Sequence, residues 1–203
     1  PTANISSVTD LVVINKNIAD LTGIEGFTAL TRLVCNSNQL TSLDVSNNTA
    51  LTELRCINNQ LTSLDVTNNT ALTWLECAQN QLTSLDVSNN IELTILGCSR
   101  NQLTSLDVTN NTALISLICS HGPLTSLDVS NNNALTTLWL IDSQLTSLDV
   151  SNNNALNNFL CSTNQLTSLD VRNGNNTNFI SFYSTNNPNL TCIYVDDADY
   201  SNA

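Results

Sequence analysis

The chain has 203 residues, and its 17 acidic and 5 basic side chains give a formal net charge of −12. This charge disfavours nucleic acid as a partner, because binding nucleic acid requires lysines and arginines that neutralise phosphates. The apolar runs of the sequence fall short of the roughly 18 residues that a membrane span needs, so membrane insertion is not expected.

Residues 1–29 are predicted to form an entry segment. The segment Val8-x-x-Leu11-x-Val13 spaces its apolar residues like a strand with one buried face. The segment LTGIEGFTAL over residues 21–30 then leads into a more regular pattern. We expect the first of these segments to be a degenerate half-repeat.

Residues 30–171 are built from a strict repeat. The hexapeptide Leu-Thr-Ser-Leu-Asp-Val occurs seven times, and each copy starts 21 residues after the one before. A fixed period of this length is typical of a solenoid. Each unit has two similar halves whose apolar-x-apolar order predicts a short strand, and Asn-rich segments supply the turns. The predicted fold class is mainly β, with two short parallel strands in each 21-residue coil and little or no helix.

Residues 172–203 keep the pattern only in part. The segment Arg172–Asn178 holds two extra residues, so we expect Phe182 in the slot that Phe159 fills one coil earlier. Cys192 then replaces the outward serine of the hexapeptide. Aromatic bulk and a broken period are typical of a terminal cap. The domain prediction is one domain over 1–203, with an N-terminal cap at 1–29, regular repeats at 30–171 and a degenerate C-terminal cap at 172–203.

These repeats resemble the leucine-rich repeat family, in particular its bacterial class with nested 21-residue units and the consensus L-x-x-L-x-L-x-x-N-x-L-x-x-L-D-L-x-x-N. The match runs from Leu30 to about Val171. The segment LTGIEGFTAL also resembles a connection found in secreted leucine-rich repeat proteins of Bacteroidetes and Listeria. The resemblance implies a leucine-rich repeat solenoid from a secreted or surface-displayed bacterial protein, whose variable strand face contacts a partner.

Six of the seven cysteines fill one inward slot, once per coil, and Leu140 fills that slot in the remaining coil. Because leucine can replace cysteine at this position, the position requires an apolar side chain of modest size, and we expect the cysteines to be buried, reduced thiols. A disulfide between adjacent coils would need Cβ atoms about 3.8 Å apart, whereas stacked coils hold them about 4.8 Å apart. No Cys or His spacing suggests zinc, and no cofactor is expected.

Asparagine forms two further columns, which we expect to satisfy buried backbone groups at the turns. The first column is Asn59, Asn80, Asn101 and Asn164, and the second is Asn48, Asn69, Asn90, Asn111, Asn132 and Asn153.

The hexapeptide also places an outward aspartate in each regular coil. Neighbouring carboxylates about 5 Å apart repel each other. We expect each one to bond to the adjacent Ser or Thr and to be screened by salt. The alternative is calcium shared between coils, since hard cations take carboxylate oxygens, with Asp86, Asp107 and Asp128 as ligands. Equal environments offer no way to separate the pKa values of two carboxylates for acid–base catalysis.

The outward positions of the other strand differ from coil to coil. The two tryptophans, Trp74 and Trp139, occupy such positions three coils, or about 14 Å, apart. Exposed aromatic side chains often mark recognition sites, and neighbouring isoleucines extend the apolar surface. The candidate ligand-binding residues are Trp74, Trp139, Ile118, Ile141, Arg100, His121, Asp142, Glu76, Arg55 and Tyr183.

Several polar candidates for ligand binding lie where two consecutive coils depart from the repeat. His121-Gly122-Pro123 replaces Asn-Asn-Gln, and the next coil has Asp142-Ser143-Gln144, so a deformed corner is expected beside Trp139. Arg100 lies one coil away, which brings Arg, His, Asp and Trp to one place. A His–Asp pair without a suitably placed nucleophile does not indicate a hydrolase, so no enzyme activity is expected.

The predicted function is a non-catalytic recognition module of a secreted or surface bacterial protein, and the chain is expected to be a monomer. A protein partner would use the apolar stripe as an interface core with a polar rim, as in adhesion. A polysaccharide would stack its sugar rings on the tryptophans. The alternative is a passive structural spacer within a larger multidomain protein.

Overall fold

A computed structural model of the chain describes residues 5–197 as a stack of short parallel strands joined by turns. Three 3-10 helices, at Ile5–Ser7, Ile24–Gly26 and Asn176–Asn178, are the helical elements of this part of the chain. The strands are β1 (Asp10–Val12), β2 (Arg32–Val34), β3 (Glu53–Arg55), β4 (Trp74–Glu76), β5 (Ile95–Gly97), β6 (Ser116–Ile118), β7 (Thr137–Trp139), β8 (Ser147–Asp149), β9 (Asn158–Leu160), β10 (Ser168–Asp170), β11 (Ser181–Tyr183) and β12 (Cys192–Tyr194).

Nine strands form one parallel sheet, which we call the long sheet, in the order β1-β2-β3-β4-β5-β6-β7-β9-β11. Its register follows the sequence period, so that Leu54 pairs with Leu75 and Leu75 with Leu96. These central leucines are fully buried, because alternate side chains of a strand point to opposite faces. The predicted fold class, a solenoid with 21-residue coils and little helix, is confirmed.

The second half of each coil is less regular than the predicted second strand. Only β8, β10 and β12 pair there, in a three-stranded short sheet. In the other coils the Ser-Leu-Asp segment forms no ladder. In every regular coil the aspartate carboxylate accepts a backbone N–H two residues on, as where Ser46 N–H donates to Asp44 Oδ1 at 2.9 Å, and the coils of β8 and β10 share this bond.

Buried asparagines join successive coils, as the repeat predicts. Asn59 Nδ2 donates to the carbonyl oxygens of Cys35 and Cys56, and Asn59 Oδ1 accepts from Leu40 N–H. In the second column Asn111 Nδ2 donates to the carbonyl oxygens of Val87 and Asn90. Both predicted amide ladders are therefore confirmed, and they hold the turns of one coil against the next.

The inward cysteines form a buried row of free thiols, whereas Cys192 is free and exposed. Burial raises the pKa of Cys77 to about 12, so this thiol stays protonated at neutral pH. The expected insertion is also confirmed, since Phe182 pairs with Phe159. Their rings stack 5.6 Å apart, and Phe179 stacks on Phe182 at 5.4 Å. Aromatic rings therefore fill the core near the C-terminal end of the described residues.

The division of residues 1–203 into caps and regular repeats stays a prediction, because residues 1–4 and 198–203 lie outside the described part. Residues 5–197 contain no helix with the length and hydrophobicity of a membrane span.

Candidate functional site

The solvent-facing side of the long sheet, which we call the long-sheet face, is divided into two regions. The charged region belongs to the first coils and consists of Asp10, Arg32, Glu53, Arg55 and Glu76 together with Trp74. The apolar region follows and consists of Ile95, Ile118, Trp139, Ile141, Leu160 and Tyr183. The candidate residues from the sequence thus fall into separate regions instead of one cluster.

Opposite charges alternate from coil to coil in the charged region. Arg32 lies 3.0 Å from Asp10 and 3.1 Å from Glu53, and the hydrogen bonds to these two carboxylates raise the pKa of Arg32. Arg55 Nε lies 2.7 Å from Glu53 Oε1 but 3.7 Å from Glu76 Oε2. Two guanidinium groups therefore face three carboxylates, and the excess negative charge lies at the Glu76 end.

Trp74 is partly buried in the charged region. The Arg55 guanidinium lies 3.7 Å from the centroid of the indole ring, which is a cation–π contact. The Trp74 Nε1 atom is buried and has no hydrogen-bond partner among residues 5–197. One face of the ring is thus covered by Arg55, so a ligand cannot stack on Trp74 from that side without displacing the arginine.

The apolar region contains a continuous row of large side chains. Ile118 is the register partner of Trp139, Trp139 of Leu160, and Leu160 of Tyr183, so these four lie on adjacent strands. Trp139 is 37% exposed and Tyr183 is 58% exposed. An exposed apolar row of this kind is the usual centre of an interaction surface.

The corner after the long sheet holds the predicted polar cluster in part. His121 Nδ1 lies 3.0 Å from Asp142 Oδ2, and both side chains are exposed. Arg100 occupies the same position one coil earlier, but its side chain has no hydrogen-bond or ion-pair partner within residues 5–197. No hydroxyl or thiol in that range hydrogen-bonds to His121, so the pair has no nucleophile beside it.

The framework is incomplete at this corner. Gly122 and Ser143 replace the column asparagines, and the Ser143 Oγ atom is buried without a hydrogen-bond partner in the described residues. Pro123 has no N–H, whereas Gln102 and Gln144 donate theirs to a leucine carbonyl of the preceding coil. The coils on either side of this corner are therefore joined by fewer hydrogen bonds.

The opposite side of the solenoid, which we call the aspartate face, repeats one arrangement. Each carboxylate accepts the backbone N–H two residues on, as Asp107 does from Thr109 at 2.9 Å. These local hydrogen bonds lower the pKa of the aspartates, namely Asp44, Asp65, Asp86, Asp107, Asp128 and Asp170. Shallow grooves between coils are lined by these carboxylates and by serines such as Ser126.

The hydrogen-bonding interpretation of the aspartate face is thus confirmed. No group of three or more His, Cys, Asp or Glu in residues 5–197 is arranged to hold a metal ion. Calcium at Asp86, Asp107 and Asp128 stays the alternative.

Sequence reasoning missed the ion-pair network and the role of Arg32 and Glu53 in it. The available signal was opposite charge at equal positions of neighbouring coils, since residues 21 apart are register partners. It also missed Gly97, which lies between the charged region and the apolar region.

No family model matches the chain. Internalin J of Listeria monocytogenes serotype 4b (strain F2365) is 47% identical over 41 residues, which are 20% of this chain and 4% of that protein. A solved functional domain of Internalin J from Listeria monocytogenes superposes with a TM-score of 0.77 at 35% identity, covering 94% of this chain and 54% of that one. That domain is described as including a cysteine ladder.

A leucine-rich repeat protein of Leptospira interrogans superposes with a TM-score of 0.76 at 23% identity, covering 86% of this chain and 51% of that one, which supports the fold alone. The chain spans about half the length of each of these two solved structures. None of these three proteins comes from Bacteroidetes, so that part of the resemblance stays a prediction.

Proposed function

The chain is a leucine-rich repeat solenoid of the bacterial class, and we propose that it is a non-catalytic recognition module that binds a protein partner through the long-sheet face. One observation carries this proposal: Ile118, Trp139, Leu160 and Tyr183 form an unbroken apolar row beside a charged region. Protein interfaces combine an apolar core with a polar rim in this way. The parent protein is proposed to be secreted or surface-displayed, with this domain a monomer until it meets its partner.

A library of peptides displayed on phage tests the proposal. Peptides are selected on the wild-type protein and counter-selected on an Ile118→Asp/Leu160→Asp variant, which places charge in the apolar row. An Asp107→Asn/Asp128→Asn variant on the aspartate face is the matched control. We expect enriched peptides to bind the wild type and the control alike and to lose at least about tenfold in affinity for the row variant. Peptides that bind all three proteins equally would refute the assignment of the face.

Polysaccharide binding is the second candidate, and the 37% exposure of Trp139 is the observation that favours it. Trp74 supports it less, because Arg55 covers one face of its ring. Fluorescence titration with neutral and anionic polysaccharides, using Trp74→Ala and Trp139→Ala variants, tests this candidate. Saturable quenching that Trp139→Ala abolishes would favour a glycan over a protein. Failure of both peptides and polysaccharides to bind would favour the spacer role.

A further inference from the structure

Gly97 is the last residue of β5 and an outward position of the long-sheet face. Its φ angle is not positive, so the backbone does not require glycine there. A Cβ atom built on Gly97 would meet only the Cγ atom of Glu76, at 3.4 Å. This distance is a close van der Waals contact and not a clash. Glycine inside a strand is destabilising and often marks a place where another group approaches closely. Neither conformation nor packing within the domain explains this residue.

The missing side chain leaves a notch at the boundary between the two regions. The register partner of Gly97 on one side is Glu76, and on the other side it is Ile118. Ile95, two residues before Gly97 on the same strand, is also partly exposed. The notch is therefore bordered by the Glu76 side chain, whose Cγ atom lies nearest, and by two aliphatic side chains, and the sheet backbone forms its floor.

The charge at the notch is negative. Glu76 is the terminal member of the ion-pair network, and its only ion-pair partner within the described residues is Arg55, at 3.7 Å. The Nε atom of Arg55 lies closer to Glu53, at 2.7 Å, and its guanidinium is stacked on Trp74. Glu76 is thus the carboxylate of the network with the weakest compensation. The chain as a whole carries a formal charge of −12, which attracts a basic partner over a longer range.

We propose that the notch at Gly97 receives a lysine or arginine side chain from a basic segment of the protein partner. Its aliphatic stem lies over Gly97 between Ile95 and Ile118, and its cationic group pairs with Glu76, since long basic side chains bury their stems while the charge stays solvated. A neighbouring apolar side chain of the same segment packs on Ile118 and Trp139. This inference rests on the proposed function and names the chemistry of its partner.

Fluorescence anisotropy with short synthetic peptides tests the inference. The probe is a labelled peptide of alternating lysine and leucine, and a peptide of alternating glutamate and leucine is its charge control. Gly97→Val fills the notch, and Ser63→Val makes a comparable exchange at an exposed position of the aspartate face. Glu76→Gln removes the charge, and Glu92→Gln does so at an exposed corner of the next coil. Urea unfolding of each variant verifies that it folds like the wild type.

We expect the basic peptide to bind the wild type, with a loss of at least about tenfold in Gly97→Val and about three- to tenfold in Glu76→Gln. The Ser63→Val and Glu92→Gln variants should bind like the wild type. Equal binding to wild type and Gly97→Val, together with loss in the Ile118→Asp/Leu160→Asp variant, would overturn the notch and leave the proposed function standing. Preference for the acidic peptide, or no binding of the basic one, would overturn the inferred charge of the partner.

Discussion

The aspartate face and the long-sheet face are two sides of one core, and they use the same 21-residue period in opposite ways. On the aspartate face the coils repeat Ser, Asp and a Ser or Thr, with Arg172 in place of the last hydroxyl residue, and each carboxylate is bonded within its own coil. On the long-sheet face the buried leucine is constant while the outward residues change from charged to apolar along the stack.

The difference shows which positions the fold itself requires. The hydrogen bonds of the aspartate face offset the repulsion between neighbouring carboxylates, so the same solution recurs in each coil. The outward side chains of the long sheet are not required to hold the coils together, because backbone hydrogen bonds and buried leucines already hold its strands. These positions are therefore free to carry the chemistry of a partner.

The largest expected effect comes from the framework that both faces share. Asn111→Ala would leave the carbonyl oxygens of Val87 and Asn90 without the donors that Asn111 Nδ2 supplies. We expect a loss of about 1–3 kcal/mol in the free energy of unfolding, since two hydrogen bonds of about 0.5–1.5 kcal/mol each are lost while both carbonyl oxygens keep a backbone N–H donor. Urea unfolding followed by circular dichroism measures it. Asn110→Ala, at an exposed neighbour, is the control, and an equal loss there would contradict the role of the column.

A repair of the deformed corner should have the opposite sign. Ser143→Asn would offer Leu124 N–H the amide acceptor that Leu40 N–H has in Asn59 Oδ1. We expect a gain of about 1 kcal/mol in the free energy of unfolding, the usual net value of one hydrogen bond. Ser143→Ala removes the buried Oγ atom without adding a bond and should gain less. A loss of stability in Ser143→Asn would show that this corner cannot accommodate the asparagine hydrogen bonds of the regular coils.

Acid should weaken the aspartate face. Hydrogen bonds lower the pKa of Asp65, Asp86, Asp107 and Asp128 in the folded state, so these groups stabilise the fold above their unfolded pKa of about 3.9. This contribution disappears as the pH falls below that value towards the folded pKa. A variant with these four aspartates changed to asparagine should lose less stability on acidification than the wild type. Parallel pH curves in urea unfolding would contradict the assignment.

The smallest effect is expected from calcium. The carboxylates of Asp86 and Asp107 already accept hydrogen bonds within their own coils, and no three-ligand cluster exists in residues 5–197. Calcium and magnesium at equal ionic strength should therefore give melting temperatures within about 2 °C of each other. Differential scanning calorimetry measures this difference. A larger rise with calcium alone would support the shared-cation alternative, with Asp86, Asp107 and Asp128 as the ligands to replace.

The parts of the fold that repeat could be predicted from the sequence. The slots of Leu54, Cys56 and Asn59 have equivalent neighbours in the regular coils, so their burial follows from the period alone. The exposure of Cys192 could also be predicted from the sequence, because this residue replaces an outward serine of the hexapeptide.

The candidate site could be predicted only as a face. Whether Arg55 stacks on Trp74 or extends into solvent depends on side-chain rotamers, which no period determines. For the same reason the sequence grouped Arg100 with His121, whereas within residues 5–197 the imidazole hydrogen-bonds to Asp142 and not to Arg100. The significance of Gly97 depends on what surrounds an absent side chain, and that surrounding is known only once the coils are stacked.

The constant register between coils has a genetic consequence. Glu53, Trp74 and Ile95 are aligned partners spaced by one repeat, and nearly identical repeats can be gained or lost by recombination within a gene. Loss of one 21-residue unit between Glu76 and Trp139 would return each buried leucine to an equivalent slot. It would also shorten the distance between Glu76 and Trp139 along the stack by about 4.8 Å. Gain or loss of repeats can thus change the separation of Glu76 and Trp139 in steps of one coil while the core keeps its packing.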